Sequence, residues 1–169
     1  MTKLVKPSIK YKDSFIESLK ESKAVGDFTE EEIKKIENNF QNLISDLKNE
    51  EKGINLKEGY VPCTTFWLVD GGEFIGRVSI RHKLTENLLK EGGHIGYGIR
   101  PSKRKMGYGS KILELALPEA KKIGIDKTLL TCNDENIGSA KIIEKNGGIL
   151  QDKIEYHGKL QRRYWINIK

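Results

Sequence analysis

The stretch Arg100-Pro101-Ser102-Lys103-Arg104-Lys105-Met106-Gly107-Tyr108-Gly109-Ser110 decides the architecture. Before it, Gly93 to Arg100 reads as a β-strand that Pro101 stops. After it, Gly107 to Ile123 reads as a helix, with Ile112, Leu113, Ala116, Leu117 and Ala120 on one face. A strand therefore passes into a helix through a glycine-rich, basic loop. Gly107 and Gly109 let the backbone approach a ligand and take unusual φ values. The first amides of the helix have no intrahelical partner, and with the helix dipole they make an anion site. Arg100, Lys103, Arg104, Lys105 and Lys111 surround that site with no acid among them. The joint fits neither common nucleotide loop. Walker A needs Gly-x-x-x-x-Gly-Lys-Ser/Thr, and the dinucleotide fingerprint needs a third glycine where Ile112 stands. Taken alone, the joint is equally an ordinary glycine-rich loop with a solvated basic face.

Outward from the joint, the pattern is consistent. Downstream, Lys127 to Cys132 is a short apolar strand, and Asn136 to Asn146 is a helix ended by Gly147-Gly148. Ile149 to Tyr156 and Leu160 to Ile168 alternate as two strands around His157-Gly158-Lys159. Pro118 removes a bond to residue 114 and should bend its helix. Upstream, Thr64 to Val69 and Glu73 to His82 flank the hairpin signal Asp70-Gly71-Gly72. Leu84 to Lys90 is ambiguous, with room for a turn of helix. Leu4-Val5 is a candidate edge strand, and Tyr11, Phe15, Ile16 and Leu19 recur at helical spacing. Thr29 and Glu32 form a capping box ahead of one apolar stripe, Ile33, Ile36, Phe40, Leu43, Ile44 and Leu47. The stripe predicts a single helix of four turns. The order predicts an α/β chain with a mixed sheet and helices on its faces.

Composition bounds the rest. A chain of 169 residues corresponds to one domain, residues 1–169, with a core that needs no disulfide or structural metal. No apolar run approaches a membrane span, so no membrane partner is expected. Met1 to Pro7 lacks an apolar signal core, which argues against secretion. Cys63 and Cys132 fit no metal spacing and read as free thiols in a cytoplasmic protein. No two of His82, His94 and His157 stand at a metal-ligand spacing, so no metal is expected. Residues 1–60 carry 11 Lys and Arg against 12 Asp and Glu, and residues 61–169 carry 19 against 12. The positive field belongs to the later part and implies an anionic partner. Nucleic acid is not expected, because there is no recognition motif and no basic stripe interleaved with aromatics.

Arg104-x-x-Gly107-x-Gly109, after a strand ending Ile99-Arg100-Pro101, resembles the acetyl-CoA loop of the GNAT superfamily of N-acetyltransferases. Asn133 through Asn136, Ser139 and Lys145-Asn146-Gly147 resemble the family's next strand–helix unit, at the usual spacing. Together the two segments span about residues 93–148. The Arg163-Tyr164-Trp165 strand is also family-like, whereas the first 60 residues give only a compatible helix pattern.

The resemblance implies a GNAT-like fold: a central, mostly antiparallel sheet with a splayed parallel strand pair and flanking helices. It implies transfer of acetyl from acetyl-CoA, with no metal, to a primary amine of a small molecule or peptide. Backbone amides of Lys105, Met106, Gly107, Tyr108, Gly109 and Ser110 would hold the CoA pyrophosphate, with Arg104 and neighbouring lysines offsetting its charge. Pantetheine would lie in the splay like an added strand, against the Ile99 main chain, whose amide would polarise the thioester carbonyl. Asn133 and Asn136 would bond the pantetheine arm, and Ser139 would sit near it. Glu91 or His94, at the start of the splayed strand, would be the base. The tyrosine that many members use as acid falls at Ile143 here, so Tyr97, Tyr108 and Tyr164 become the candidates. Its absence keeps open a second reading, a non-catalytic module that binds CoA or acyl-CoA. Phe66, Trp67 and Tyr60 are candidates for an acceptor pocket, with core as the default. Dimers are common in the family, which leaves room for a homodimer.

Overall fold

A computed structural model describes all 169 residues. Two antiparallel sheets carry the fold. The first has the order β1-β2-β3-β4, with β1 Lys3–Val5, β2 Cys63–Asp70, β3 Glu73–Arg81 and β4 Ile95–Ile99. The second has the order β5-β7-β6, with β5 Lys127–Asn133, β6 Ile149–Tyr156 and β7 Lys159–Asn167. The β2–β3 hairpin closes through Gly71 and Gly72, both at positive φ (57° and 86°), the conformation that selects glycine in two-residue hairpin turns.

β2 is buried on both faces, so its apolar residues run without alternation. Phe66 and Leu68 face the larger core, with Val78 and Ile80 of β3. That core is completed by Ile112, Leu113, Ala116 and Ala120 of α5 (Tyr108–Lys122) and Ala140 and Ile143 of α6 (Ile137–Lys145). Trp67 and Val69 face an aromatic cluster beneath α1 (Lys12–Ala24), α2 (Glu30–Asn38) and α3 (Phe40–Lys52). There the Phe15 ring stacks on Trp67 at 4.7 Å between centroids. Trp67 and Phe66 are therefore core, and only Tyr60 of the three aromatics is solvent-facing, at 65% exposure.

The capping box forms as read: Glu32 N–H donates to Thr29 Oγ1, and Thr29 N–H donates to Glu32 Oε2. The apolar stripe, however, is divided between two helices. Asn39 leaves helical geometry (φ −119°, ψ 31°) and its side-chain amide donates to the Lys35 carbonyl. Asn competes for backbone bonds in this way and is a poor interior helix residue. The break lets α3 lie on β2 while α2 packs on α1. The ambiguous segment holds a short α4 (Glu86–Lys90), capped by Thr85. Pro118 lies on the exposed side of α5, which is continuous through it.

The two sheets meet at one point. His94 N–H donates to the Leu129 carbonyl (2.8 Å), and Leu129 N–H donates to His94 Nδ1 (2.9 Å). Beyond that junction β4 pairs only with β3 and β5 only with β7. The parallel edges of β4 and β5 therefore diverge and leave a gap.

Candidate active site

The gap is lined on the β4 side by unpaired backbone. Arg100 N–H donates to the Ile75 carbonyl (2.8 Å), so Ile99 opposite Gly76 is a non-hydrogen-bonded pair. The Ile99 N–H and carbonyl accordingly turn away from β3, toward the gap. The carbonyl accepts Arg104 Nε–H at 3.1 Å. Tyr97, two residues earlier, has the same orientation of its main chain.

At the wide end stands the β4–α5 loop. Lys103 and Arg104 N–H close a short 3-10 turn on Arg100 and Pro101. The next six amides, Lys105 through Ser110, have no acceptor in the protein, and the first helical bond of α5 is Lys111 N–H to Gly107. Gly107 sits at φ 86° as N-cap, and Lys105 at φ 60°. A non-glycine residue at positive φ is uncommon and concentrates at functional loops. Gly109 has no positive φ, contrary to the sequence reading. Its small size serves α5–α6 packing, because a Cβ there would lie 2.5 Å from Ile142 Cδ1. Asn146 ties the same two helices, donating to the Ile142 carbonyl (2.9 Å) and the Ser110 carbonyl (3.3 Å).

The basic shell is thinner than the sequence suggests. Arg100 pairs with Glu21 (2.6 Å) and Glu73 (3.1 Å), and Lys103 pairs with Glu73 (2.8 Å). Lys111 pairs with Glu114. Acids outside the loop thus neutralise three of the five cations, leaving Arg104 and Lys105. Arg100, at 11% exposure, clamps the loop to α1. Partial burial works to raise the Glu21 carboxyl, but bonds from Arg100 and Ser102 N–H overcome it and hold it below its ordinary range. Tyr108 adds a further tether, its hydroxyl donating to Asp70 at 3.0 Å.

On the α6 side, Asn136 caps the helix: its Oδ1 accepts Ser139 N–H at 3.1 Å. Ser139 Oγ lies 2.9 Å from the Tyr97 hydroxyl. Burial raises the Tyr97 phenol above its ordinary range, and the Ser139 bond opposes that only in part. Cys132 faces the same spot, its thiol also raised by burial. The other two tyrosine candidates are engaged elsewhere, Tyr108 with Asp70 and Tyr164 with Glu144 (2.9 Å). Ile143 is 1% exposed and belongs to the main core.

On the opposite face, Glu91 and Asn133 meet at Gln161, a buried side chain that no sequence motif singles out. Gln161 Nε2 donates to Asn133 Oδ1 (2.6 Å) and to Glu91 Oε1 (3.3 Å). His94 is 8% exposed, and burial lowers its pKa. Because Leu129 N–H is a donor, Nδ1 must be the unprotonated nitrogen and Nε2 carries the proton. A cleft of about 820 Å³ opens between α3, residues 54–63, β3 and α4.

The unpartnered amides, the αL glycine, two free cations and the open strand edge fit a long pyrophosphate-bearing ligand that continues as an extended chain. A sequence profile of the acetyltransferase (GNAT) domain matches residues 12–149. The chain belongs to the GNAT acetyltransferase family. No curated relative matches this GNAT chain by sequence. Among solved structures, it is similar to RimL, a ribosomal L7/L12 α-N-protein acetyltransferase in complex with coenzyme A. That likeness has 17% identity and TM-score 0.69, over 99% of this chain and 94% of RimL. Mycobacterium smegmatis RimJ, in complex with CoA-disulfide, gives 17% identity and TM-score 0.72 over 98% and 81%. The microcin C7 self-immunity acetyltransferase MccE, in complex with acetyl-CoA and AMP, gives 16% identity and TM-score 0.68 over 99% and 92%.

Proposed function

We propose that this GNAT chain is an acetyl-CoA-dependent N-acetyltransferase that acetylates a primary amine of a small molecule or peptide, working without a metal in the cytoplasm. The observation that carries the reading is the run of six unpartnered amides leading into an unpaired strand edge. Solved structures with this fold hold CoA or acetyl-CoA, and RimL is described as acetylating a protein α-amine, which supports both halves of the reaction.

Acetyl-CoA supplies an activated acetyl group on a thioester. The amides from Lys105 to Ser110, with Arg104 and Lys105, would bind its diphosphate. The Ile99 N–H is the donor available to the thioester carbonyl oxygen, and Asn133 and Asn136 would bond the pantetheine arm through their amide N–H groups, since the Asn133 Oδ1 already accepts Gln161 and the Asn136 Oδ1 caps α6. The amine nitrogen forms a bond to the acetyl carbon, the carbon–sulfur bond breaks, and one proton leaves the amine while one reaches the sulfur. Glu91 is the better base, because the only lone-pair nitrogen of His94 already accepts Leu129 N–H. Tyr97, relayed with Ser139, is the acid for the sulfur.

Acetyl transfer from acetyl-CoA to a panel of amines tests the reading, with Glu91→Gln and Tyr97→Phe as variants. Lower turnover at neutral pH is expected for both variants, and the deficit of Tyr97→Phe should close in alkali, where the raised phenol of the wild type also loses its proton. Ile143, where many members carry the acid, favours a second reading as a non-catalytic CoA or acyl-CoA module. Tight CoA binding with no transfer to any amine would select that module.

A further inference from the structure

Resting on the amine-acetylation reading, we propose that the 820 Å³ cleft selects an acceptor of the amino-acid class, whose carboxylate is read by Arg77. β3 alternates, with Val78 and Ile80 in the core and Arg77, Ser79 and Arg81 on the floor of the cleft. The two arginines differ in their surroundings. Arg81 is fixed, donating to the Gly92 carbonyl (3.1 Å) and the Gly93 carbonyl (3.3 Å). Arg77 is exposed and takes part in no side-chain hydrogen bond or ion pair.

Its position links it to the reaction. Arg77 stands opposite Gly98 of β4, and the space where a Gly98 side chain would lie is empty. Arg77 therefore stands one strand in from the β4 edge of the gap where the amine must arrive, with no β4 side chain opposite it. A carboxylate held there is joined to the reacting amine by a short connector, as in an amino acid. Arg is suited to this because its fork matches a carboxylate in two parallel bonds.

The far wall sets the charge limit. Asp46 and Glu50, one turn apart on α3, line the cleft without an ion-pair partner, whereas neighbouring Glu51 is taken by Lys6. A single carboxylate with a cationic amine complements both walls. A phosphate dianion would satisfy Arg77 but face two carboxylates, and an amine with no acid would leave Arg77 unmatched.

The test compares an amino-acid panel with the matching amino-acid amides, decarboxylated amines and aminoalkyl phosphates. Both acetylation kinetics and calorimetric binding in the presence of CoA are read. Wild type should favour the carboxylate form, by about 10- to 100-fold in kcat/KM, as expected for a charged hydrogen-bonded pair. Arg77→Gln should erase that preference, and Arg77→Lys should restore part of it. Neither should change the KM for acetyl-CoA or the turnover of the decarboxylated amine. Carboxylate-dependent binding that Arg77→Gln abolishes, without turnover, upholds the acceptor site and defeats the acetyl-transfer reading. Turnover with no preference between acid and amide, or a preference that survives Arg77→Gln, overturns the inference and leaves acetyl transfer standing. Arg77-dependent preference for the phosphate also overturns it.

Discussion

Replacing Gly107 with alanine isolates the loop's backbone geometry from its chemistry. Gly107 sits at φ 86°, ψ −8°, and a Cβ there would meet nothing within 4 Å. No atom has to move, so the whole cost is conformational. Left-handed geometry costs a non-glycine residue roughly 1–2 kcal/mol. Two responses are open to the chain. If the alanine variant keeps the native loop geometry, the protein loses roughly 1–2 kcal/mol of stability and CoA affinity stays as it is. If the loop relaxes, stability recovers, but the unpartnered amides from Lys105 to Ser110 lose their common direction. Binding must then restore the strained form, so affinity falls by at most the same energy, about 5- to 30-fold. The two losses are complementary, and their sum is the prediction. Calorimetry with CoA, beside thermal unfolding of the same samples, reads both. Gly124→Ala is the control, since Gly124 also has positive φ (97°) and open space but lies at the far end of α5. That variant should lose stability only. A Gly107→Ala protein with unchanged melting and unchanged CoA affinity would refute the assignment of this loop as the diphosphate site.

His94→Gln should flatten the pH dependence of stability. His94 is held neutral with its pKa lowered by burial, so the unfolded chain takes up the proton first as pH falls below about 6.5. Wild-type stability should therefore drop as pH falls from about 7 to about 5.5, by up to about 1.4 kcal/mol per pH unit for one proton. The variant should lack that component, leaving the one from His82, whose pKa is also lowered by burial. Equal slopes in both proteins would count against the junction role. Arg100→Gln should cost about 1.5–3 kcal/mol by urea unfolding, because it strips Glu21 of a charged partner at a site only 11% exposed. The held-down Glu21 carboxyl contributes stability above its ordinary pKa of 4.5 that is lost as pH falls, so the cost of the variant should shrink in acid. Ile143→Tyr should destabilise by about 1–3 kcal/mol through overpacking, without raising kcat. A faster enzyme of normal stability would show that the core yields there.

The strand–loop–helix joint was legible because its physics is local. Glycine freedom, uncapped amides and basic side chains occupy consecutive residues, and the hairpin at Asp70 to Glu73 and the Thr29 capping box share that property. What could not be read depends on residues far apart in sequence. Glu21 and Glu73 reach the loop from α1 and β3 and pair with two of its five cations, Arg100 and Lys103. Gln161 reaches Glu91 across 70 residues. Arg77 has a weak sequence signal, a charge inside the apolar run Phe74 to Ile80, but nothing local says that its face is a cleft. The helix stripe from Ile33 to Leu47 failed for a related reason. Its periodicity was real, but two segments of one stripe pack on different partners.

The acid question joins these two kinds of information. Sequence alignment by motif looks for a hydroxyl at position 143, on the same helix as Ser139. In this chain Ile143 completes the core, and the hydroxyl beside Ser139 comes from the opposite wall, from Tyr97 of β4. In the proposed reaction a proton donor must face the gap between β4 and β5, and either β4 or α6 can supply it. A buried phenol pushed above its ordinary value stays protonated at neutral pH and can donate to a departing thiolate. The motif position is thus one solution to a geometric requirement. Loss of the residue there does not remove the function so long as a second element brings a hydroxyl to the same place. In the proposed reaction Tyr97, carried by the strand whose unpaired edge faces the gap, is the residue placed to meet that requirement without any change in the helix.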